Sequence, residues 1–133
     1  MGQRNWRILV AEDNDAIRSI LFEYLSSQGL EVEITKNGVE ALDAFVSKGF
    51  DLVLTDLQMP LMDGHELACE IKKKRPKTVI IMMSGNRPNG GQAQAAADFF
   101  VEKPFQMKDI SDMMNWALQS QAQELSRTTC RAS

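Results

Sequence analysis

The apolar positions along this chain follow two alternating rhythms. Nearly continuous apolar runs occur at Ile8-Leu9-Val10-Ala11, Leu52-Val53-Leu54, Val79-Ile80-Ile81-Met82-Met83 and Phe99-Phe100-Val101. A further run, Glu31 to Thr35, alternates, with Val32 and Ile34 on one side. These five runs predict strands, and their unbroken β-branched character predicts burial on both faces, as in a parallel sheet.

Between the runs the period lengthens to that of a helix. Ile17, Ile20, Leu21, Tyr24 and Leu25 form one stripe, capped by Asp13-Asn14-Asp15 and closed by Gly29. Asn37-Gly38 opens a second helix, with Val39, Leu42, Phe45 and Val46 predicted inward and Gly49 after it. A third runs from about Gly64 to Lys74, with Leu67, Ala68 and Ile71 inward, and stops before Pro76. The last carries Ile110, Met113, Met114, Ala117 and Leu118. Residues 85–97 are rich in Gly, Asn and Pro, which predicts a short or irregular fourth helix.

Alternating strand and helix with short connections predict an α/β fold: a doubly wound, five-stranded parallel sheet with helices on both faces. The expected boundaries are an N-terminal extension over 1–6, one domain over 7–121, and a polar, flexible tail or linker start over 122–133. The length of 133 residues suits a single domain. No apolar run reaches the roughly 18 residues of a membrane span, and two cysteines make no disulfide framework. With no apolar leader, the expectation is a cytoplasmic protein. Fifteen basic and eighteen acidic residues leave a net charge of −3. That balance argues against direct nucleic-acid binding, which needs a basic face.

In such folds ligands bind beyond the carboxyl ends of the strands. Those ends hold Glu12-Asp13, Asp56, Ser84 and Glu102-Lys103-Pro104. Clustered carboxylates repel one another, and a hard cation removes the cost. Mg²⁺ suits a few carboxylates plus a phosphate. A lysine adds a point charge and a serine a hydrogen bond for phosphoryl oxygens. Asp56, ending a central buried strand, is the natural nucleophile for forming an acyl phosphate.

These residues resemble the receiver domain of two-component response regulators, the chemotaxis-regulator-like group. The resemblance rests on Ile8-Leu9-Val10-Ala11-Glu12-Asp13, Asp51 through Pro60, Met62-Asp63-Gly64, Met83-Ser84-Gly85 and Phe100 through Phe105, in that order. It implies the flavodoxin-like strand order 2-1-3-4-5. It implies that Asp56 accepts phosphate from a histidine kinase, a phosphotransfer protein or a small phosphodonor. Glu12, Asp13, Asp56 and the backbone carbonyl of Gln58 would then bind Mg²⁺. Lys103 would contact the phosphoryl group, Ser84 would reorient toward it, and Phe100 would rotate inward. Lys103-Pro104 is a candidate cis bond. Output would pass to a protein partner through the face formed by residues 85–118. The resemblance implies a signalling switch with no enzymatic activity beyond assisting its own phosphorylation and dephosphorylation.

Three other readings compete. An aspartate-nucleophile phosphatase needs an acid two residues after the nucleophile, where this chain has Gln58. A flavodoxin-like cofactor module needs a hydroxyl- and glycine-rich first loop, where this chain has Glu12-Asp13-Asn14-Asp15. A pseudo-receiver would bind partners without phosphate, against which the intact acid, serine and lysine set argues. His65 reads as a surface residue. The run Lys72-Lys73-Lys74-Arg75 reads as charge complementing a helix C-terminus.

Overall fold

A computed structural model describes residues 6–85 and 97–132, with side chains described through residue 119. Its strands are β1 (Arg7–Ala11), β2 (Glu31–Thr35), β3 (Leu52–Asp56), β4 (Val79–Ser84) and β5 (Phe99–Glu102). All pairings are parallel, in the order β2-β1-β3-β4-β5. The helices are α1 (Asp15–Ser27), α2 (Gly38–Lys48), α3 (Gly64–Lys74) and a last helix, α4 (Met107–Ala132). The short or irregular helix expected over 85–97 falls, apart from its end residues Gly85 and Ala97, on 86–96, outside the described residues.

Alternation along the buried strands divides the core into two layers. Ile8, Val10, Leu52, Leu54, Ile81 and Met83 face α1 and α4, meeting Leu21, Leu25, Ile110, Met114 and Leu118. Leu9, Val53, Ile80 and Met82 face α2 and α3, meeting Ala41, Phe45, Leu67, Ala68 and Ile71. Each residue of β3 and β4 is buried. This is the two-sided burial that continuous apolar runs predict.

Two helices sit differently from their stripes. In α2 the buried positions are Gly38, Ala41 and Phe45, while Val39 and Val46 are exposed. The cause is a close approach: a Cβ on Gly38 would stand 2.4 Å from the Met62 carbonyl oxygen. Only glycine lets α2 lie that near the loop after β3, and this rotates Val39 outward. In α1, Ile20 is exposed and Leu21 and Leu25 make the contact. Helical backbone in α4 continues through 122–132, where the sequence predicts an unpatterned tail. Its Gln, Glu, Ala and Arg residues sustain a helix without an apolar stripe.

The basic end of α3 is not merely solvated charge. Lys72 Nζ donates to the carbonyls of Pro76 (3.2 Å) and Thr78 (2.7 Å) and to Asp98 Oδ2 (2.8 Å). Asp98 Oδ2 also accepts from the Ile80 amide at 2.8 Å. The lysine therefore ties the end of α3 to the start of β5. His65, half-buried, lies 3.7 Å from Cys69 Sγ one turn along α3.

Candidate functional site

Sheet geometry carries the reactive groups to one edge. The amides just past the strands extend the ladder: Glu12 N donates to Thr35 O (3.1 Å), Leu57 N to Met83 O (2.8 Å), and Lys103 N to Ser84 O (2.8 Å). With the backbone fixed through each strand end, Glu12, Asp56, Ser84 and Lys103 are held in place. Glu12, Asp13 and Asp56 each present a carboxylate oxygen within 4.8 Å of the others. Lys103 Nζ lies 3.1 Å from Asp56 Oδ2 and 3.2 Å from Glu12 Oε1. The Lys103-Pro104 bond is cis.

The burial of these groups is graded. Glu12 is fully buried, Asp56 and Ser84 nearly so, and Asp13 is exposed. Burial pushes the Glu12 carboxyl above the ordinary carboxylate range. The Asn14 amide, at 3.1 Å from Oε2, and Lys103 pull it back, while the Asp56 charge adds to the rise. For Lys103 burial works toward a lower pKa. The hydrogen bond and charge of Asp56, with those of Glu12, outweigh burial and leave the ammonium pKa raised. One lysine thus only partly compensates three close carboxylates. The excess negative charge and the all-oxygen donor set fit a hard divalent cation.

This balance predicts a cost of function. Because the Glu12 pKa is raised, its stabilising contribution is complete below the ordinary value of about 4.5 and is lost as pH rises through the folded value. Above the folded value the ionised group therefore burdens the cation-free fold. Glu12→Gln is expected to raise the melting temperature measured in EDTA at neutral pH. It should also weaken divalent-cation binding by at least the roughly ten-fold typical of lost supporting groups. A lower melting temperature would show that the Lys103 ion pair outweighs the burial.

The loop between β3 and α3 encloses the other side of Asp56. It closes through Gly64 N to Leu57 O at 2.8 Å, and a capping box between Asp63 and Glu66 starts α3. Gln58 lies in this loop with its side chain exposed. Phe100, on β5, is half-buried against the α2/α3 layer. The structure therefore brings together Glu12, Asp13, Asp56 and Lys103. It sets Ser84 at the end of the neighbouring strand, Gln58 on the loop, and Phe100 behind.

Sequence reasoning missed Arg18. Its guanidinium donates to the Glu12 carbonyl at 2.9 Å, forms a short ion pair with Asp15, and is only 16% exposed. An arginine within two turns of the acid pair was the available signal, but helix periodicity places it on a polar face. The other unforeseen feature is Leu61, whose φ is 72°.

The profile of the response regulator receiver domain matches residues 8–115. The chain belongs to the response regulator receiver family. This receiver is 38% identical over 119 residues to the DNA-binding transcriptional regulator NtrC of Bradyrhizobium, covering 84% of this chain and 24% of that one. It is 33% identical over 113 residues to the transcriptional regulatory protein ResD of Bacillus subtilis, covering 83% and 47%. Both relatives are thus more than twice the length of the matched part. Among solved structures it is similar to a CheY-like receiver domain from Methanospirillum hungatei (TM-score 0.87, 31% identity, 91% and 99% covered). It is also similar to the BeF3-activated DrrB receiver domain (TM-score 0.79, 26% identity, 87% and 99% covered). The receiver is thus a component of two-component signal transduction.

Proposed function

We propose that residues 7–121 form a Mg²⁺-dependent phosphoacceptor switch with Asp56 as the acceptor. The observation that carries this reading is the Asp56 carboxylate, held 3.1 Å from Lys103 within a three-acid cluster at the strand ends. An Asp56 oxygen attacks the phosphorus of phosphohistidine or of a small acyl phosphate. The new O–P bond forms as the donor's P–N or P–O bond breaks, and the leaving nitrogen or oxygen keeps the electron pair. Lys103, already on Asp56 Oδ2, is placed to meet a phosphoryl oxygen, and Ser84 to donate a second contact. Glu12, Asp13, Asp56 and the Gln58 carbonyl would hold Mg²⁺, which when bound neutralises phosphoryl charge. Phe100 would follow Ser84 inward and carry the change to the surface.

The edge formed by β5 and α4 carries an aromatic pair. Trp116 of α4 is 60% exposed and meets Phe99 of β5 edge-on at 5.4 Å. Such a pair suits a protein partner on the 85–118 face, and the net charge of −3 argues against nucleic acid. Upstream, the partner is a histidine kinase or phosphotransfer protein. We assign 1–6 to an N-terminal extension, 122–133 to a linker start, and the protein to the cytoplasm. Among the described residues no helix is long and apolar enough to cross a membrane. With Gln58 where a phosphatase needs an acid, the domain assists only its own phosphorylation and dephosphorylation.

The test is incubation with acetyl phosphate, followed by intact mass. One phosphoryl group is expected with Mg²⁺ and none with EDTA. Labelling that ignores EDTA would contradict the metal role. Arg18 supplies a second check. Arg18→Ala frees the Glu12 carbonyl and is expected to lower Mg²⁺ affinity about ten-fold by calorimetry, with Arg18→Lys intermediate. Unchanged affinity in both variants would reduce Arg18 to its pair with Asp15.

A further inference from the structure

Glu12 and Asp13 stand just past the last ladder pairs of the strand that carries them. The β1–β2 pairing ends at Ala11 and Thr35, and the β1–β3 pairing ends at Ala11 and Thr55. Beyond that point the acid pair needs other anchors. β2 is the outermost strand of the sheet, paired with β1 alone among the described residues. Its last residue is Thr35. Such ends open easily unless something holds them.

Thr35 is only 7% exposed, and its hydroxyl donates to the Val10 carbonyl at 2.8 Å. A buried hydroxyl is costly without a partner, and here the partner is the backbone that leads to Glu12. The Thr35 carbonyl in turn accepts from the Glu12 amide at 3.1 Å. One residue thus grips β1 on either side of Ala11. The hydroxyl fixes the Thr35 backbone against β1, and the fixed carbonyl holds the Glu12 amide. Valine has nearly the same shape and the same preference for strands, so packing and propensity alone do not call for the oxygen.

The grip bears on the acid cluster. Glu12 is fully buried, and its carboxylate lies within 4.8 Å of those of Asp13 and Asp56. Mg²⁺ demands near-ideal octahedral geometry and tolerates little error in ligand position. Movement of the Glu12 backbone carries the next residue, Asp13, with it. Thr35 holds the amide of Glu12, and Arg18 holds its carbonyl at 2.9 Å.

We propose that the Thr35 hydroxyl is a positioning group for the cation site, locking the end of β2 so that β1 presents Glu12 and Asp13 where Mg²⁺ needs them. This rests on the phosphoacceptor reading above. Thr35 acts through the two acids and touches no reacting atom.

The experiment compares the full chain with Thr35→Val, which loses the hydroxyl, and Thr35→Ser, which keeps it. Mg²⁺ affinity is measured by calorimetry with no phosphodonor present. Thr35→Val is expected to bind Mg²⁺ about ten-fold more weakly, the lower end of what lost supporting groups cost, and Thr35→Ser to stay within about two-fold of the wild type. Acetyl phosphate labelling at saturating Mg²⁺ is expected to differ by less than about two-fold in all three, because a bound cation has its ligands in place. The Mg²⁺ concentration that gives half the maximal labelling rate should rise in Thr35→Val by the same factor as the Kd. A lower melting temperature in Thr35→Val with unchanged Mg²⁺ affinity would overturn the proposal and leave Thr35 a purely structural residue. Equal weakening in Thr35→Val and Thr35→Ser would overturn it, because the hydroxyl would not be the cause. Labelling of Thr35→Val that stays slow at saturating Mg²⁺ would overturn it as well, because Thr35 would then shape the acceptor. If Thr35→Val does not fold, Thr35→Ala removes the same hydroxyl with less bulk and faces the same comparisons. A wild type that binds Mg²⁺ and takes up no phosphoryl group would remove the phosphoacceptor reading alone, since the affinities still decide the role of Thr35. A wild type that binds no Mg²⁺ would remove both.

Discussion

Asp56→Asn is expected to lose phosphoryl uptake, by at least about a thousand-fold from acetyl phosphate, the scale seen when a nucleophile is removed. The amide offers no nucleophilic carboxylate oxygen and takes one charge from the cation cluster. The fold should survive the change. Asp56 raises the pKa of fully buried Glu12, so its removal relieves a repulsion. Lys103 keeps Glu12 Oε1 at 3.2 Å as a partner. The variant should therefore melt no lower than the wild type while its mass stays unchanged under labelling conditions. Wild-type labelling of Asp56→Asn would move the acceptor elsewhere.

Gly64→Ala is expected to damage fold and site together. A Cβ there would stand 2.3 Å from the Asp56 carbonyl oxygen, 2.7 Å from Met82 Sδ and 2.9 Å from Leu57 Cα. The methionine can swing aside, but two of the three obstacles are backbone. Overpacking of this kind costs about 1–3 kcal/mol or more, which in a domain of this size lowers the melting temperature by at least about 3 °C. The clash acts on the residue that carries the acceptor, so acetyl phosphate labelling should slow even where the variant remains folded. Thermal melting and a labelling time course on the folded fraction check both parts. An unchanged melting temperature would mean that the loop yields without cost.

The fold was legible because its central strands are buried on both sides. Ile8 to Ala11, Leu52 to Leu54 and Val79 to Met83 read as unbroken apolar runs, and such runs belong to parallel sheets. Once the strands are known, the rule that ligands gather at their carboxyl ends finds Glu12, Asp13, Asp56, Ser84 and Lys103. The Lys103 contacts with Glu12 and Asp56 span much of the chain, yet topology alone predicts them.

What escaped the sequence depends on contacts that no local period encodes. The inward face of α2 is set by Gly38 meeting Met62, a loop residue beyond β3. Val39 has the right spacing for burial and is turned out by that contact. Arg18 binds a backbone carbonyl, and a carbonyl leaves no trace in the sequence. Lys72 resembles its basic neighbours but alone reaches Asp98, because the turn into β4 brings β5 beneath it. The left-handed backbone at Leu61 contradicts its residue type, so residue preference points away from it.

Asp56 is the one residue expected to become an acyl phosphate. Borohydride reduces an aspartyl phosphate to homoserine, so trapping after labelling with acetyl phosphate and Mg²⁺ records the site in the covalent chain. Peptide mapping is expected to find homoserine at position 56 and aspartate at position 13. Homoserine at any other aspartate, a reduced glutamate, or an unreduced Asp56 in protein that has gained a phosphoryl group, would contradict it.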